Sequence, residues 1–409
     1  MREIALETVD VSAEVVRDLG MEDLDEEAVE AFRAGVVRKL TSETQQRRYE
    51  RMTPESLLEA CGLRRNDGRL NQAALLLLGR EYAIRQYLGH AEIIAEYRSN
   101  PSATNYDRRF STHGPLMLGL DALMDWILPY AALNPIEIQD GASVVQRPRY
   151  SERSIREAIL NAVAHRDYTI RSAVDVFLSP EAFGVHSPGP FPSGVTPENV
   201  ADAREWRNQA LAVALEKCSL IERSGQGVNL MMAAAVHHAQ PLPEFDEPGY
   251  AEVHVVLHGE SSDHFRQFTQ QLSLEAWEDV PPAALRAVEA MRRNVPVDRM
   301  EDEGVTWLLE QGIAQRTQQG YLRPGEEFVE GIVDGARDQI GLGGLEDALV
   351  AELRMNEPAG MGKSELEAAF PDHSWRHLRR VLTFMREDGR VQSEGNTRAT
   401  RWHAAATPS

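Results

Sequence analysis

The 409-residue sequence contains few cysteines and no long apolar run. Its two cysteines, Cys61 and Cys218, stand far apart, which argues against a disulfide framework or a cysteine-based zinc site. No stretch approaches the roughly 20 consecutive apolar residues of a membrane-spanning helix. The opening segment, "MREIALETVDVSAEVV", has early acids and no basic segment followed by an apolar block, so no secretory signal is expected. These absences predict a globular, cytoplasmic protein with two buried thiols.

Basic residues are fewer than acidic residues. The chain has 43 Lys and Arg against 64 Asp and Glu, which gives a formal net charge of −21. Such a charge repels polyphosphate at long range, so any contact with nucleic acid must be local. The length exceeds the roughly 100–200 residues of one ordinary domain, so several domains are expected.

The order of the predicted elements divides the chain into four domains. We predict an α+β multi-domain fold, with a helical or mixed α/β domain over residues 1–150 and an α+β layer with two glycine-bearing loops over residues 151–260. Two smaller modules follow, over residues 261–338 and 339–409. In both, helices precede a two-stranded hairpin, which is typical of a winged helix-turn-helix and predicts two such modules in tandem.

The segment "SIREAILNAVAHRDYT", residues 154–169, carries polar residues at helical spacing. Glu157, Asn161 and His165 follow one another at intervals of four, so on a helix they share one face. A carboxylate can activate water, and an amide oxygen can bind a hard divalent cation. The alternative is an ordinary amphipathic helix with exposed polar groups and local caps. Periodicity alone leaves both open.

Two glycine-bearing loops follow that helix. "HSPGPFPSG", which contains Gly189, comes after a predicted strand, and "RSGQGVNLM", which contains Gly225 and Gly227, opens a helix. Backbone N–H groups at a helix N-terminus can bind an anion, and Arg223 adds a positive charge. A single Gly-x-Gly is weak evidence, because a simple helix-start turn has the same pattern. The order of helix, strand, turn and Gly-x-Gly favours a site.

The segments "YSERSIREAILNAVAHRDY", "FGVHSPGPFPSGVTPENV" and "RNQALAVALEKCSLIERSGQGVNLM" together closely resemble a known bacterial domain. It is the ATP-binding-like domain of RecG-like, helicase-related proteins or Schlafen-type transcriptional regulators. That domain is similar to the GHKL ATPases, which include gyrase, the heat-shock chaperone, histidine kinases and MutL. The resemblance covers about residues 25 to 258. Members commonly begin with an AlbA domain of roughly a hundred residues, which we expect this chain to lack.

The resemblance implies a GHKL-like α/β sandwich that uses ATP and Mg²⁺. It implies that Glu157 is the general base and Asn161 the Mg²⁺ ligand. It further implies a first nucleotide loop at Gly189 and a second loop, near the phosphates, at the later Gly-x-Gly. The nucleotide-binding residues implied in this way are Asn161, His165, Gly189, Gly225 and Gly227.

The last module carries arginines on its predicted third helix, "SWRHLRRVLTFMREDGR". A helix of this kind suits the major groove, because a guanidinium fork pairs with guanine or with phosphate. The hairpin that follows would form a basic wing. The alternative is a packing or dimerisation module with a solvated arginine face. The predicted DNA-binding residues are Arg376, Arg379, Arg380, Arg398 and Arg401.

Histidines elsewhere do not predict a metal site. His237 and His238 are adjacent on a helix and point to different sides. His254 and His258 lie on a strand that offers no cysteine or carboxylate at ligand spacing. We therefore expect all four on the surface or between domains.

Two functions follow from these observations. The first is an ATP-binding regulator of transcription that binds double-stranded DNA as a homodimer, with slow Mg²⁺-dependent ATPase activity left open. The second is a nucleotide-independent regulator or scaffold that uses the GHKL-like domain for dimerisation. GHKL enzymes read adenine with an aspartate in the first glycine loop, and the absence of an acid in "HSPGPF" favours the second function. The presence of Glu157 and Asn161 favours the first.

Overall fold

The computed structural model forms two compact units. The first comprises Met1–Ser262 with Ser273–Pro282, and the second comprises Asp263–Leu272 with Ala283–Ser409. The boundary predicted at residue 150 falls inside the first unit. Within the described part of the chain, no helix combines the length and apolar character needed to cross a membrane. The residues described are 10–133, 135–140, 143–221, 226–293, 303–317, 321–325, 349–350, 352–356, 360–370, 375–387, 390–394 and 400–405.

A mixed, mainly antiparallel sheet of six strands organises the first unit. Only the pair of β1 (Ile93–Tyr97) and β5 (Val174–Leu178) is parallel, and every other neighbouring pair is antiparallel. Because β1 pairs with β2 (Arg108–Thr112) in this sheet, the segment before residue 150 contributes two of its six strands. In spatial order the strands are β2 (Arg108–Thr112), β1 (Ile93–Tyr97), β5 (Val174–Leu178), β6 (Ala182–Pro188), β8 (Glu252–His258) and β7 (Glu244–Asp246).

Helices supply most of the remaining structure of this unit, together with a separate hairpin of β3 (Ile136–Asp140) and β4 (Ser143–Arg147). Cys61 and Cys218 are free and buried, as predicted. The helices are α1 (Glu26–Lys39), α2 (Glu43–Glu50), α3 (Pro54–Cys61), α4 (Gln72–Leu78), α5 (Glu81–Leu88), α6 (Leu116–Ala131), α7 (Glu152–His165), α8 (Gln209–Lys217), α9 (Gly227–His237) and α11 (Leu274–Glu278).

Strict alternation along the strands gives the sheet two different faces. Val176, Val185 and Val255 are buried in the same core as the apolar residues of α7, so this face is covered. The residues between them point to the opposite side, because successive side chains of a strand alternate. We call that side the open face; its polar residues include Asp175, His186, Asp246, Glu252 and His254.

The second unit contains α10 (Asp263–Thr269) and two helix and hairpin groups. In the earlier group, Gly304 lets the start of α13 approach the backbone of Ala283 closely, since a Cβ atom there would collide with it. The order of helices and hairpin matches the predicted pattern, while assignment to winged helices stays a prediction. The groups are α12 (Pro282–Arg292), α13 (Glu303–Glu310), β9 (Ala314–Arg316) and β10 (Leu322–Pro324), then α14 (Lys363–Ala369), α15 (Trp375–Glu387), β11 (Val391–Glu394) and β12 (Arg401–Ala404).

Candidate nucleotide site

Helix α7 presents its polar stripe to a cleft. The helix starts at a serine cap, where Ser151 Oγ accepts a hydrogen bond from the Ser154 N–H at 3.3 Å. Its apolar face packs into the core, which fixes the orientation of the polar face. Glu157, Asn161 and His165 all line the cleft. The structure thus brings together the three residues that the sequence placed on one stripe.

The cleft is large and mostly apolar. Counting the part that is open to solvent, the empty space within it is about 980 Å³. An apolar lining with a few convergent polar side chains is typical of small-molecule pockets, so the cleft has the character of a ligand site. The covered face of the sheet and β7 supply an apolar wall that consists of Val185, Phe245, Val253 and Val255.

The first residue of α9 lies directly against the polar stripe. A Cβ atom on Gly227 would be 2.5 Å from Glu157 Oε2 and 3.3 Å from Asn161 Nδ2. Glycine therefore lets the positive end of the α9 dipole approach these two side chains, where an anion would be stabilised. Gly225, the other predicted glycine of this turn, lies outside the described residues.

The amide of Asn161 is a buried polar group in need of a partner. Its Nδ2 atom is inaccessible to solvent and has no hydrogen-bond partner among the described residues. A half-turn of the amide exchanges the positions of its nitrogen and oxygen, so either atom can be turned toward a ligand. A buried polar atom without a partner typically costs 1–3 kcal/mol, a cost that a bound ligand would remove. The site therefore fits a cation or a polar ligand beside Glu157.

His165 forms a stacked pair with Trp206 at the cleft. Their ring centroids are 4.8 Å apart and the ring planes differ by 17°. Burial, reinforced by the charge of Arg207, lowers the pKa of His165 from 6.5 to about 4. The imidazole is therefore neutral near pH 7, and the pair offers a flat, uncharged surface suited to an aromatic base.

Gly189 shapes the first glycine loop. Its φ of +104° lies in the left-handed region that favours glycine. A Cβ atom there would also stand 2.6 Å from the Cβ atom of Asp167. The Phe191 N–H donates to Glu247 Oε2 at 3.0 Å, so an acid distant in sequence fastens this loop. Gly189 itself lines the cleft.

Arg207 ties the loop to α7, a role that the sequence did not reveal. It donates from Nε to the carbonyl of His165 at 3.0 Å and from Nη2 to the carbonyl of Pro190 at 2.7 Å. Its Nη1 atom is 3.4 Å from Asp167 Oδ2. The nearby Arg204 and Trp206 line the cleft and were also missed. The only sequence signal was the charged and aromatic string "REWR", 40 residues beyond α7.

Ser187 of "HSPGPF" has a structural role. Ser187 Oγ donates to the carbonyl of Ala162 at 2.9 Å, which links β6 to α7. The hydroxyl of Ser187 therefore holds the sheet against the helix. Among the described lining residues, the acids of the cleft are Glu157 and Glu205.

The predicted DNA-binding arginines lie in the second unit. Arg379 is exposed on α15. Arg401 instead pairs with Glu365 at 2.9 Å and donates to the carbonyl of Gly360 at 2.8 Å. Arg398 lies outside the described residues, as do the side chains of Arg376 and Arg380.

One segment of the first unit is similar to a known protein family. Residues 172–257 match the family model "Putative ATP-dependent DNA helicase recG C-terminal". This match supports an ATPase-like domain. Helix α7, with Glu157 and Asn161, precedes the matched segment, whereas Gly189 and Gly227 lie within it. The ATPase-like domain makes ATP and Mg²⁺ plausible ligands.

Other comparisons bear on the fold. Residues 1–94 match a family model described only as a domain of unknown function. No curated protein matches the chain. The crystal structure of the DIP2311 protein from Corynebacterium diphtheriae is similar with a TM-score of 0.61 and 19% identity, over 97% of this chain and 70% of that one. At this identity the likeness concerns the fold.

Proposed function

We propose that the protein binds an adenine nucleotide with Mg²⁺ in the cleft lined by α7, the covered face of the sheet and the start of α9. The observation that carries this proposal is the buried Nδ2 atom of Asn161, which has no hydrogen-bond partner among the described residues and lies beside Glu157 at the glycine start of α9. The ATPase-like match over residues 172–257 supports it. The apolar wall and the stacked pair of His165 and Trp206 suit the base.

The residues divide the work by their chemistry. Asn161 would supply an amide oxygen to Mg²⁺, which neutralises phosphate charge when it is bound. Glu157 would accept a proton from a water molecule, so slow hydrolysis is the reaction that the site could support. The N–H groups at the start of α9 would bind phosphate oxygens. Arg207, which donates to the carbonyl of Pro190 next to Gly189, would hold the first loop in position for the ligand.

Thermal unfolding in the presence of nucleotide tests this proposal. We expect Mg-ATP or Mg-ADP to raise the Tm of the wild type, because a ligand that binds only the folded state stabilises it. Asn161→Ala should remove the shift, whereas Asn105→Ala, which changes an exposed asparagine, should retain it. Mg-GTP measures base selectivity. No shift of the wild type with any nucleotide would refute nucleotide binding.

A nucleotide-independent scaffold is the second candidate. The observation in its favour is that the first glycine loop, "HSPGPF", contains no acid to read adenine, and that its Ser187 hydroxyl bonds to α7 instead. In this case the cleft would serve packing or dimerisation. The same titration separates the two functions, because a scaffold of this kind has no nucleotide-dependent Tm.

We further propose double-stranded DNA and a second copy of the chain as partners, with a role in transcription regulation. Support for the DNA contact comes from α15, whose residues Leu378, Val381, Leu382 and Met385 are buried while Arg379 is exposed. Simultaneous replacement of Arg376, Arg379 and Arg380 by glutamine should weaken duplex binding and reduce its salt dependence. Unchanged binding would remove α15 from the interface. Sedimentation of the wild type measures the oligomeric state.

A further inference from the structure

Three potential metal ligands meet on the open face of the sheet, away from the cleft. They are His186 on β6 and Glu252 and His254 on β8. One ligand atom from each lies within 4.8 Å of the other two. Among the described residues, this is the group of histidines and acids that could hold a metal ion. The expectation that the strand of His254 offers no carboxylate at ligand spacing was wrong, because Glu252 stands two residues earlier on the same strand.

The strand register explains the cluster. His186 and His254 are direct cross-strand partners, so their side chains leave the sheet side by side. Glu252 precedes His254 by two residues and therefore emerges on the same face. The imidazole rings lie face to face, with centroids 3.6 Å apart and planes 13° from parallel. His254 Nε2 is 2.8 Å from Glu252 Oε1.

Neighbouring residues hold the cluster in place. The ring of Phe177 lies over Gly184, where a Cβ atom would collide with it. The same ring meets His186 edge-on, with centroids 5.1 Å apart. The packing of Phe177 thus limits the positions that the His186 ring can adopt, and a partly fixed ligand binds a metal with less loss of entropy.

The charges around the cluster favour a cation. Asp175 and Asp246 are cross-strand partners of His186 and His254, respectively. Together with Glu252 they place three carboxylates beside the two histidines on one face of the sheet. Clustered negative charge of this kind attracts a divalent cation.

The two histidines have suitable donor chemistry, because a neutral imidazole supplies a nitrogen lone pair to a metal. His254 and Glu252 retain side-chain exposures of 22% and 43%, so an ion could enter from solvent.

We propose that His186, Glu252 and His254 bind a divalent transition-metal ion of the Zn²⁺ class. Two imidazoles and one carboxylate suit zinc and the late first-row metals rather than Mg²⁺ or Ca²⁺. Three protein ligands leave a fourth position open to water or to another ligand. Ligand atoms around a tetrahedral ion with bonds of about 2.0–2.1 Å stand about 3.3 Å apart, so side-chain rotation alone can close the site.

Direct titration of the full chain, stripped of metal by a chelator, tests the proposal. We expect one Zn²⁺ ion to bind per chain, measured by competition with a chromophoric chelator. Co²⁺ should give the intense visible bands of a four- or five-coordinate site. His186→Gln and His254→Gln should each weaken Zn²⁺ affinity by at least about 100-fold, and Glu252→Gln by about 10-fold or more.

Matched variants make the result specific. His258 lies on the same face, where its Nε2 atom is 3.1 Å from Glu244 Oε1, so His258→Gln should retain the wild-type affinity. Asn161→Ala should also retain it, which separates this site from the nucleotide cleft. Circular dichroism establishes that each variant is folded. The proposal is wrong if the wild type binds no Zn²⁺ at micromolar concentration, if His186→Gln binds it normally, or if His258→Gln loses it equally.

Discussion

The two faces of the central sheet differ although the same strands build both. On the covered face, Val185 and Val255 are cross-strand partners that join the core and line the cleft. At the adjacent cross-strand pair, His186 and His254 form a stacked polar pair on the open face. Side chains alternate between the two faces with a period of two, so a single register fixes both arrangements. The pairing of β6 with β8 therefore builds two unlike surfaces at once.

The largest expected effect comes from a charge placed on one face or on the other. Val255→Lys buries an ammonium group in the core and should lower the free energy of unfolding by about 3–5 kcal/mol. Val256→Lys, on the neighbouring open-face position, should change it by less than about 1 kcal/mol, since the cross-strand partner of Val256 on β7 is the acid Glu244. Urea denaturation measures both. Equal losses would show that the open face is covered.

The second-largest expected effect is a pH dependence of the unfolding free energy that arises from His165 in the cleft. The pKa of His165 is lowered from 6.5 to about 4, so the unfolded chain binds a proton more readily than the folded chain does. Stability should therefore be fully present above about pH 6.5 and fall as the pH drops toward 4, by up to about 3 kcal/mol. The measurement is the unfolding free energy against pH.

Two substitutions, one in the cleft and one on the open face of the sheet, test this assignment. His165→Gln should flatten the decline between pH 6.5 and pH 4, the range set by the shift of His165. His258→Gln, on the open face, should preserve it. A decline that is the same in His165→Gln and the wild type would assign the pH dependence to other groups.

A smaller effect is expected where α9 meets the polar stripe. Gly227→Ala should weaken nucleotide binding by about 10- to 100-fold, because the added methyl would displace the Glu157 carboxylate. The fold should tolerate it, since the end of a flexible side chain can move and alanine favours a helix. Isothermal titration with Mg-ATP measures the affinity. Gln226→Ala, at the exposed residue before Gly227, is the control, and equal losses in both variants would contradict this account.

The smallest effect concerns the stacked pair. Trp206→Phe keeps an aromatic ring beside His165 but reduces the stacking area, so nucleotide affinity should fall by about threefold. Bound nucleotide should also change the Trp fluorescence of the wild type, and this change should disappear in the variant. Trp126→Phe, which alters a tryptophan packed near Phe110 and Tyr130, should retain it. Persistence of the signal in Trp206→Phe would place the base elsewhere.

Much of the local structure followed from the sequence. The helical stripe predicted for Glu157, Asn161 and His165 is observed on α7, because a serine cap and an apolar period of 3.6 agree there. The strand predicted before the first glycine loop is β6, and the strand that carries His254 and His258 is β8. The short polar strand β7 was not predicted, since its pairing with β8 stabilises it more than its own composition does.

The sequence by itself determined the polar stripe of Glu157, Asn161 and His165, since residues four apart on one helix share a face whatever surrounds them. Only the tertiary structure decided that Gly227 lies against this stripe and that Arg207 holds the first loop. It alone placed His186 beside His254, which is 68 residues further along the chain. Contacts of this kind depend on strand register and helix packing, which bring distant segments together and leave no periodic signal in the sequence.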